Sequence, residues 1–267
     1  MIFTPRTLRR DAKKNKEDAE QTQQRLIDNK PDLLVVIAYG KIIPQDILDI
    51  PTIATINVHG SLLPKYRGAS PIQSVFLNDE KQSGITIMKM DAWLDTGDIL
   101  SMKKTPLYFN RTAIDLIEWM KDKWPIHLTN TMRDYAKWHI DTQQQDNSQV
   151  TRCGKIEKEL GQINPFSDSL QHIYNIYRGC FLRPKTYFFL DSSRWTNQGK
   201  RIIIEQLILN GKTYHQHSTS TLFSKHKQSG KTIILNPAII TFTVKPEGSK
   251  KMSREDFLKG YPYQSIS

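Results

Sequence analysis

The sequence contains few cysteines and has no long apolar run. Its 267 residues include two cysteines, and no hydrophobic stretch approaches the ~18 residues that a membrane helix requires. Cys153 and Cys180 are too few for a zinc site or a disulfide framework, and both are expected to be ordinary buried thiols. The N-terminus soon becomes basic and polar, so no signal peptide is predicted. These absences favour a soluble protein of the reducing cytoplasm, with no membrane partner.

Positive charge is abundant and unevenly distributed. The chain carries 38 Lys or Arg and 27 Asp or Glu, a formal net charge of +11. Residues 164–267 hold 15 of the basic and 6 of the acidic side chains. Such a segment is suited to bind a polyanion, because each cation placed near a phosphate releases condensed counterions. A solvated surface is the alternative, and charge alone does not decide between the two.

The first half of the chain has the pattern of an α/β domain. A polar helix is predicted over residues 11–29, followed by an apolar strand over 33–38 that is buried on both faces. Further strands are predicted over 52–59 and 84–90, and residues 99–107 should return as a hairpin partner of the latter.

A long helical pattern closes this half. It begins near Thr112, where Thr112 and Asp115 have capping-box spacing, and Pro125 is expected to break or kink it. The polar tract at residues 141–149 has no apolar periodicity and is predicted to be a linker.

The last third of the chain has one predicted helix and several short strands. Ser167 or Asp168 is expected to cap the helix. Strands at this spacing suggest a small barrel, and the oligonucleotide-binding type is one candidate. The resulting domain prediction is a catalytic domain over 1–140, a linker over 141–163 and a basic β-barrel over 164–267.

The strand that ends at His59 carries the first chemical signal. Because side chains alternate along a strand, Asn57 and His59 share one face, about 7 Å apart. They stand at the carboxyl end of the strand, where open α/β sheets bind ligands. From these residues alone, a structural role for the histidine remains the alternative.

Three longer motifs carry a family resemblance. INVHGSLLPKYRGASPIQ at 56–73, GITIMKMDAWLDTGDIL at 84–100 and AYGKIIP at 38–44 resemble the signature of the 10-formyltetrahydrofolate-dependent formyltransferases. The motif KKMSREDFL at 250–258, together with the basic C-terminal part, resembles the methionyl-tRNA formyltransferases within that group. The resemblance implies a doubly wound, mostly parallel sheet followed by a small OB-like β-barrel.

The resemblance also implies the catalytic residues Asn57, His59 and Asp95. The Asn57 amide and a protonated His59 would stabilise negative charge on the formyl oxygen. Asp95 would favour the imidazolium and help to move a proton from the attacking amine towards N10 of the folate. Asp98 in the same turn is the competing carboxylate, and an Asp-Thr-Gly-Asp sequence is also ordinary turn chemistry.

The expected folate-binding residues lie in two loops. Ser61, Leu62, Leu63 and Pro64 match the stretch associated with folate contact, and Tyr39 and Gly40 belong to the upstream loop. Lys65 and Arg67 are expected either to meet the folate glutamate or to be solvated.

The implied reaction is formyl transfer from 10-formyltetrahydrofolate to the α-amine of methionyl-initiator tRNA, in support of translation initiation. No metal ion and no obligate protein partner are implied. The alternatives are a formyltransferase for a nucleotide sugar or another small amine, and an inactive RNA-binding remnant. Residues 2–9 resemble the family's third strand, so roughly 60 residues of the family pattern, at about 30 per βα step, are expected to be missing before it.

Overall fold

The computed structural model describes residues 5–9, 15–137, 141–191, 196–225, 233–259 and 263–264. Its helices are α1 (Lys16–Asn29), α2 (Gln45–Leu48), α3 (Pro71–Leu77), α4 (Ala113–Ala136), α5 (Leu170–Gly179), α6 (Gly211–His217) and α7 (Arg254–Lys259). Its strands are β1 (Leu33–Ile37), β2 (Ala54–His59), β3 (Arg67–Gly68), β4 (Gln82–Lys89), β5 (Ile99–Pro106), β6 (Arg152–Cys153), β7 (Thr186–Asp191), β8 (Thr196–Leu209), β9 (Phe223–Lys225), β10 (Ile233–Leu235), β11 (Ile239–Pro246), β12 (Met252–Ser253) and β13 (Tyr263–Gln264).

The chain divides into two compact units. Unit 1 comprises Met1–Pro71, Gln82–Pro106 and Glu118–Lys155, and unit 2 comprises Ile72–Lys81, Leu107–Ile117 and Ile156–Ser267. Two short segments of the predicted catalytic stretch therefore belong to unit 2.

The main sheet of unit 1 has the strand order β1-β2-β4-β5. Strands β1 and β2 are parallel, whereas β2–β4 and β4–β5 are antiparallel. The hairpin expected between β4 and β5 is confirmed. The sheet is thus mixed over the described residues rather than mostly parallel. Strand β5 returns beside β4 through residues 90–98, and such an antiparallel pair needs no crossover helix.

Helix α4 covers this sheet with an apolar face. Leu128 and Tyr135 are buried in one cluster with Ile56, Ile87 and Leu100. The helix continues through Pro125 as one element, so the predicted break does not occur. A proline in a helix interior costs about 3 kcal/mol, and each large apolar side chain buried beyond it contributes about 1.5–3 kcal/mol. Packing of the last turns of α4 against the sheet offsets the cost of Pro125.

The start of α4 follows its predicted cap. Asp115 Oδ2 accepts the backbone N–H and the hydroxyl of Thr112, both at 2.7 Å. These bonds satisfy a donor that the first helical turn leaves unpaired.

The polar tract expected to be a linker packs into unit 1. Gln143 exchanges two backbone hydrogen bonds with Ile99, and the Gln145 side chain is buried. Further on, β6 pairs in parallel with β3. Hydrogen bonds rather than apolar contacts hold this segment in place. Hydrophobic periodicity does not predict such hydrogen bonds.

Unit 2 contains two sheets over the described residues. Their strand orders are β12-β11-β8-β7 and β13-β10-β9. Helix α5 begins one residue later than predicted: Ser169 is its N-cap and accepts the N–H of His172. Asp168 instead accepts the N–H of Asn164 at 2.6 Å. No helix in the described parts of the chain is long and apolar enough to cross a bilayer.

The KKMSREDFL motif has a structural role in unit 2. Ser253 Oγ accepts the N–H of Asp256 at 3.1 Å and donates to its carboxylate at 3.0 Å, which caps α7. Phe257 and Leu258 are then buried in the core, among residues such as Phe242 and Val244. The motif fastens the last described helix to the sheet.

Candidate active site

Strand β2 presents the predicted amide and imidazole pair. Asn57 lies opposite Met88 of β4, and His59 lies opposite Thr86. Ile56 points into the core and is fully buried. Asn57 is half-buried and His59 is buried, so alternation along the strand places both on the predicted face.

His59 is held in one tautomer by its surroundings. Its Nε2 lies 2.9 Å from the carbonyl oxygen of Tyr66, which can only accept, so Nε2 carries the proton. Its Nδ1 lies 3.7 Å from Oδ1 of Asp95. The basic nitrogen of the ring therefore faces the carboxylate.

Burial sets the charge of this histidine. Only 5% of His59 is exposed, and the loss of solvation lowers its pKa below 6.5, while Asp95 and the Tyr66 carbonyl oppose that shift without overcoming it. The resting imidazole is therefore neutral at pH 7. The expected effect of the carboxylate is present, but desolvation outweighs it.

The Asp95 turn is fixed on several sides. Asp95 has a left-handed backbone with φ 56°, and its Oδ2 accepts the N–H of Gly68 at 2.8 Å. Asp91 accepts the hydroxyl of Thr96 through both carboxylate oxygens, at 2.6 and 2.8 Å. Of the two acidic residues in the turn, Asp95 is the one that meets His59. The main-chain oxygen of Asp98 instead accepts the N–H of Lys89.

The loop of the four predicted folate-contact residues is tied to β4. Thr86 Oγ1 accepts the N–H of Leu63 at 3.2 Å and donates to the carbonyl of Ser61 at 2.7 Å. Ser61 donates its hydroxyl to the Lys65 carbonyl, and the Leu63 side chain packs in a small core cluster. Thr86, which lies within the GITIMKM motif, therefore shapes this loop.

Within this loop, Leu62 and Pro64 keep partly exposed side chains. A ligand at the loop would meet these two side chains and the backbone, rather than the hydroxyl of Ser61 or the side chain of Leu63.

The second predicted loop follows β1. Gly40 has φ 72°, and Lys41 donates to the carbonyls of Pro5 and Arg6 at 2.8 and 2.9 Å. The hydroxyl of Tyr39 is buried without a hydrogen-bond partner among the described residues.

Arg67 is buried, so the expectation that it is solvated is wrong. It is 4% exposed, and its Nε donates to Oε1 of Gln145 at 3.0 Å. The amide nitrogen of Gln145 in turn donates to the carbonyls of Asp95 and Gly97. In the described residues, no group of three or more His, Cys, Asp or Glu side chains is arranged to hold a metal ion.

Comparison with known proteins assigns this arrangement to a family. Residues 3–131 match the formyl transferase family, and residues 155–262 match the formyl transferase C-terminal domain. The chain belongs to the formyltransferase family. It is a formyl-transferring enzyme.

Two relatives are similar over most of their length. The methionyl-tRNA formyltransferase of Natranaerobius thermophilus is 32% identical over 244 residues, which cover 91% of this chain and 76% of the relative. That of Caldicellulosiruptor saccharolyticus is 34% identical over 232 residues, which cover 86% and 71%.

A solved structure supports the fold. HypX from Aquifex aeolicus, in complex with tetrahydrofolic acid, superposes with a TM-score of 0.60 at 15% identity, covering 91% of this chain and 43% of that one. At this identity the likeness concerns the fold alone.

Proposed function

We propose that this enzyme transfers a formyl group from 10-formyltetrahydrofolate to the α-amine of methionyl-initiator tRNA, and so serves translation initiation. The observation that carries the proposal is the 32–34% identity with relatives named methionyl-tRNA formyltransferase over 86–91% of the chain. The match to the C-terminal formyl transferase domain at 155–262 supports it further.

The folate part of the proposal concerns the two loops beside the Asn57 and His59 pair. The structure of HypX was solved with tetrahydrofolic acid bound. In this chain, the half-buried Leu62 and Pro64 offer apolar contact to a flat ring. The Tyr39 hydroxyl, which has no hydrogen-bond partner in the described parts of the chain, offers a hydrogen bond.

His59 serves as the proton acceptor in the proposed reaction. The neutral amine attacks the formyl carbon, a C–N bond forms, and the carbonyl electron pair moves to oxygen. The amine proton passes to Nδ1 of His59, because Nε2 already donates to Tyr66. Asp95 then faces the new imidazolium at 3.7 Å and stabilises its charge.

Collapse of the tetrahedral intermediate completes the transfer. The bond from carbon to N10 of the folate breaks, its electron pair stays on N10, and N10 receives the proton that His59 holds. Asn57 donates its amide N–H to the oxyanion in this scheme. The products are the formylated amine and tetrahydrofolate, and His59 returns to its neutral form.

The tRNA part of the proposal rests on charge. Residues 164–267 hold 15 basic and 6 acidic side chains. Exposed cations of unit 2, among them Lys212, Lys245 and Lys250, are available to phosphates.

The test is transfer of a labelled formyl group by the full chain to either of two acceptors, methionyl-initiator tRNA or a nucleotide-linked amino sugar. We expect turnover on the tRNA at a rate on the order of 1 per second, typical of enzymes, and little on the sugar. His59→Gln is the control for background transfer. Preference for the sugar would replace the tRNA with a small amine as acceptor, and no transfer to either would contradict the proposal.

A further inference from the structure

The turn that carries Asp95 has a backbone conformation that requires outside support. Asp95 has φ 56°, in the left-handed region that non-glycine residues rarely adopt. Such a conformation persists where neighbouring groups hold it. The contacts around Asp95 therefore determine where its carboxylate points.

Gln145 holds the main chain of this turn. Its Nε2 donates to the carbonyl of Asp95 at 2.9 Å and to that of Gly97 at 2.8 Å. The amide has two N–H groups, so both are used. Gln145 is 9% exposed and lies 50 residues beyond Asp95, in the polar tract.

Arg67 fixes which way the Gln145 amide faces. A guanidinium can only donate, so its 3.0 Å bond turns Oε1 of Gln145 towards Arg67 and the amide nitrogen towards the turn. Arg67 also donates through Nη2 to Asn147 at 3.2 Å, and its backbone N–H bonds to Thr151 at 2.9 Å.

We infer that Gln145, oriented by Arg67, is a positioning residue that keeps the Asp95 carboxylate opposite Nδ1 of His59. The inference rests on the proposed roles of His59 and Asp95. Gln145 bonds to main-chain atoms of the turn, so it acts through Asp95. Without these two bonds the turn relaxes, the carboxylate moves away from the ring, and the imidazolium formed during transfer loses its stabilising charge.

Gln145→Met tests the inference directly, because it keeps the side-chain length, carries no charge and has no donor. We expect kcat to fall about 10- to 100-fold, as a displacement of about 1 Å does at a reacting centre. The KM for the folate should change little, because the side-chain hydrogen bonds described for Gln145 join it to Arg67, Asp95 and Gly97 and not to residues 61–64. Asn147→Ala is the matched control: it removes a bond to Arg67, leaves the turn intact, and should keep kcat.

A second readout needs no activity. In the full chain labelled with ¹⁵N-histidine, His59 is assigned by comparison with His59→Gln and titrated. Asp95 raises the pKa of His59, so Gln145→Met should lower that pKa further, whereas Asn147→Ala should not. Neither substitution removes a charged group that acts on Arg67; these groups are Asp91, Asp95 and Arg152.

Gln145→Glu separates positioning from stability. The glutamate accepts a hydrogen bond from Arg67 but donates none to the turn. The kcat of this variant should therefore fall although Arg67 keeps a partner. The same variant tests the inference if Gln145→Met does not fold. Unchanged kcat in both variants, or an unchanged His59 titration in Gln145→Met, would overturn the inference. A wild-type chain with no transfer activity would instead contradict the proposed function, and the titration would still decide the role of Gln145.

Discussion

The carboxylate of Asp95 accepts the backbone N–H of Gly68 at 2.8 Å. This bond joins the end of the SLLPKYRG loop to the LDTGD turn, 27 residues further along the chain. It uses Oδ2, which leaves Oδ1 to face His59. The two motifs are thus parts of one site, and Gly68 connects them.

Gly68→Ala should break this connection. Gly68 has φ 127°, and an added Cβ would lie 2.1 Å from the carbonyl oxygen of Cys153, which is too close for any relaxed structure. We expect a loss of about 1–3 kcal/mol or more in the free energy of unfolding, as strained backbone costs, measured by urea denaturation.

Gly154→Ala is the matched control for that substitution. A Cβ added at Gly154 would meet nothing within 4 Å. Its effect should stay within about 0.5 kcal/mol, as at ordinary surface positions. Equal effects of the two substitutions would show that the close approach at Gly68 does not constrain the fold.

Activity should depend on pH through His59. Burial lowers the pKa of His59 below 6.5, and the neutral ring accepts the amine proton, so kcat should rise with pH through a midpoint below 6.5. Asp95→Asn should move that midpoint lower still, since the carboxylate raises the pKa. The pH profile of kcat under saturating substrates is the measurement.

The lowered pKa of His59 also predicts how the stability of the fold changes in acid. The folded-state pKa is depressed, so the unfolded chain binds more protons as the pH falls below about 6.5, the unperturbed value. The contribution of His59 to the stability of the fold is therefore present above that pH and lost as pH falls through the folded pKa.

His127 provides a control for the pH dependence of kcat. Burial also lowers the pKa of His127, and His127→Gln should leave the kcat midpoint in place. A midpoint that follows His127 would contradict the role of His59.

Substitutions at the three proposed catalytic residues should affect turnover more than folding. Asn57→Ala, His59→Ala and Asp95→Ala should each reduce kcat about 100-fold or more, as the loss of groups that stabilise developing charge does. Asp98→Asn should be milder than Asp95→Asn, because Asp95 is the carboxylate that faces His59. Steady-state kinetics and thermal melts on the same samples separate the two effects. Near-normal turnover of His59→Ala would remove the proposed mechanism.

Binding of tRNA should weaken steeply with salt. Each phosphate neutralised by a cation contributes about 0.7–0.9 to the slope of log K against log salt. Filter binding of initiator tRNA by the full chain, from low to physiological salt, measures it. The double substitution Lys245→Gln and Lys250→Gln should lower the slope of log K against log salt. Lys104→Gln, which removes an exposed cation of unit 1, is the comparison. A flat salt response would favour a small amine as acceptor.

Local pattern predicted much of the fold correctly. The apolar run of β1 and the spacing of β4 and β5 indicated strands, and the structure has them within about two residues. The capping pair Thr112 and Asp115 was also predicted, because a cap depends on residues three positions apart. In the site, strand alternation placed Asn57 and His59 on one face. The family motif predicted Asp95 as a site residue, and in the structure its carboxylate lies 3.7 Å from Nδ1 of His59.

Other features depended on contacts between distant segments. Gln145 stands in a tract with neighbouring glutamines, and its burial and its bonds to Arg67 and the Asp95 turn distinguish it from Gln143 and Gln144. Arg67 is buried rather than solvated, because its guanidinium bonds to residues about 80 positions away in the sequence. The charge of His59 was also decided by burial.

The sequence by itself determined the strands, their alternation and the family of the chain, because hydrophobic period and motif spacing act over a few residues. Tertiary structure decided the tautomer and the pKa of His59, the support of the Asp95 turn and the burial of Arg67. Each of these depends on desolvation and on hydrogen bonds whose partners come together only when the chain folds, and no local pattern encodes them.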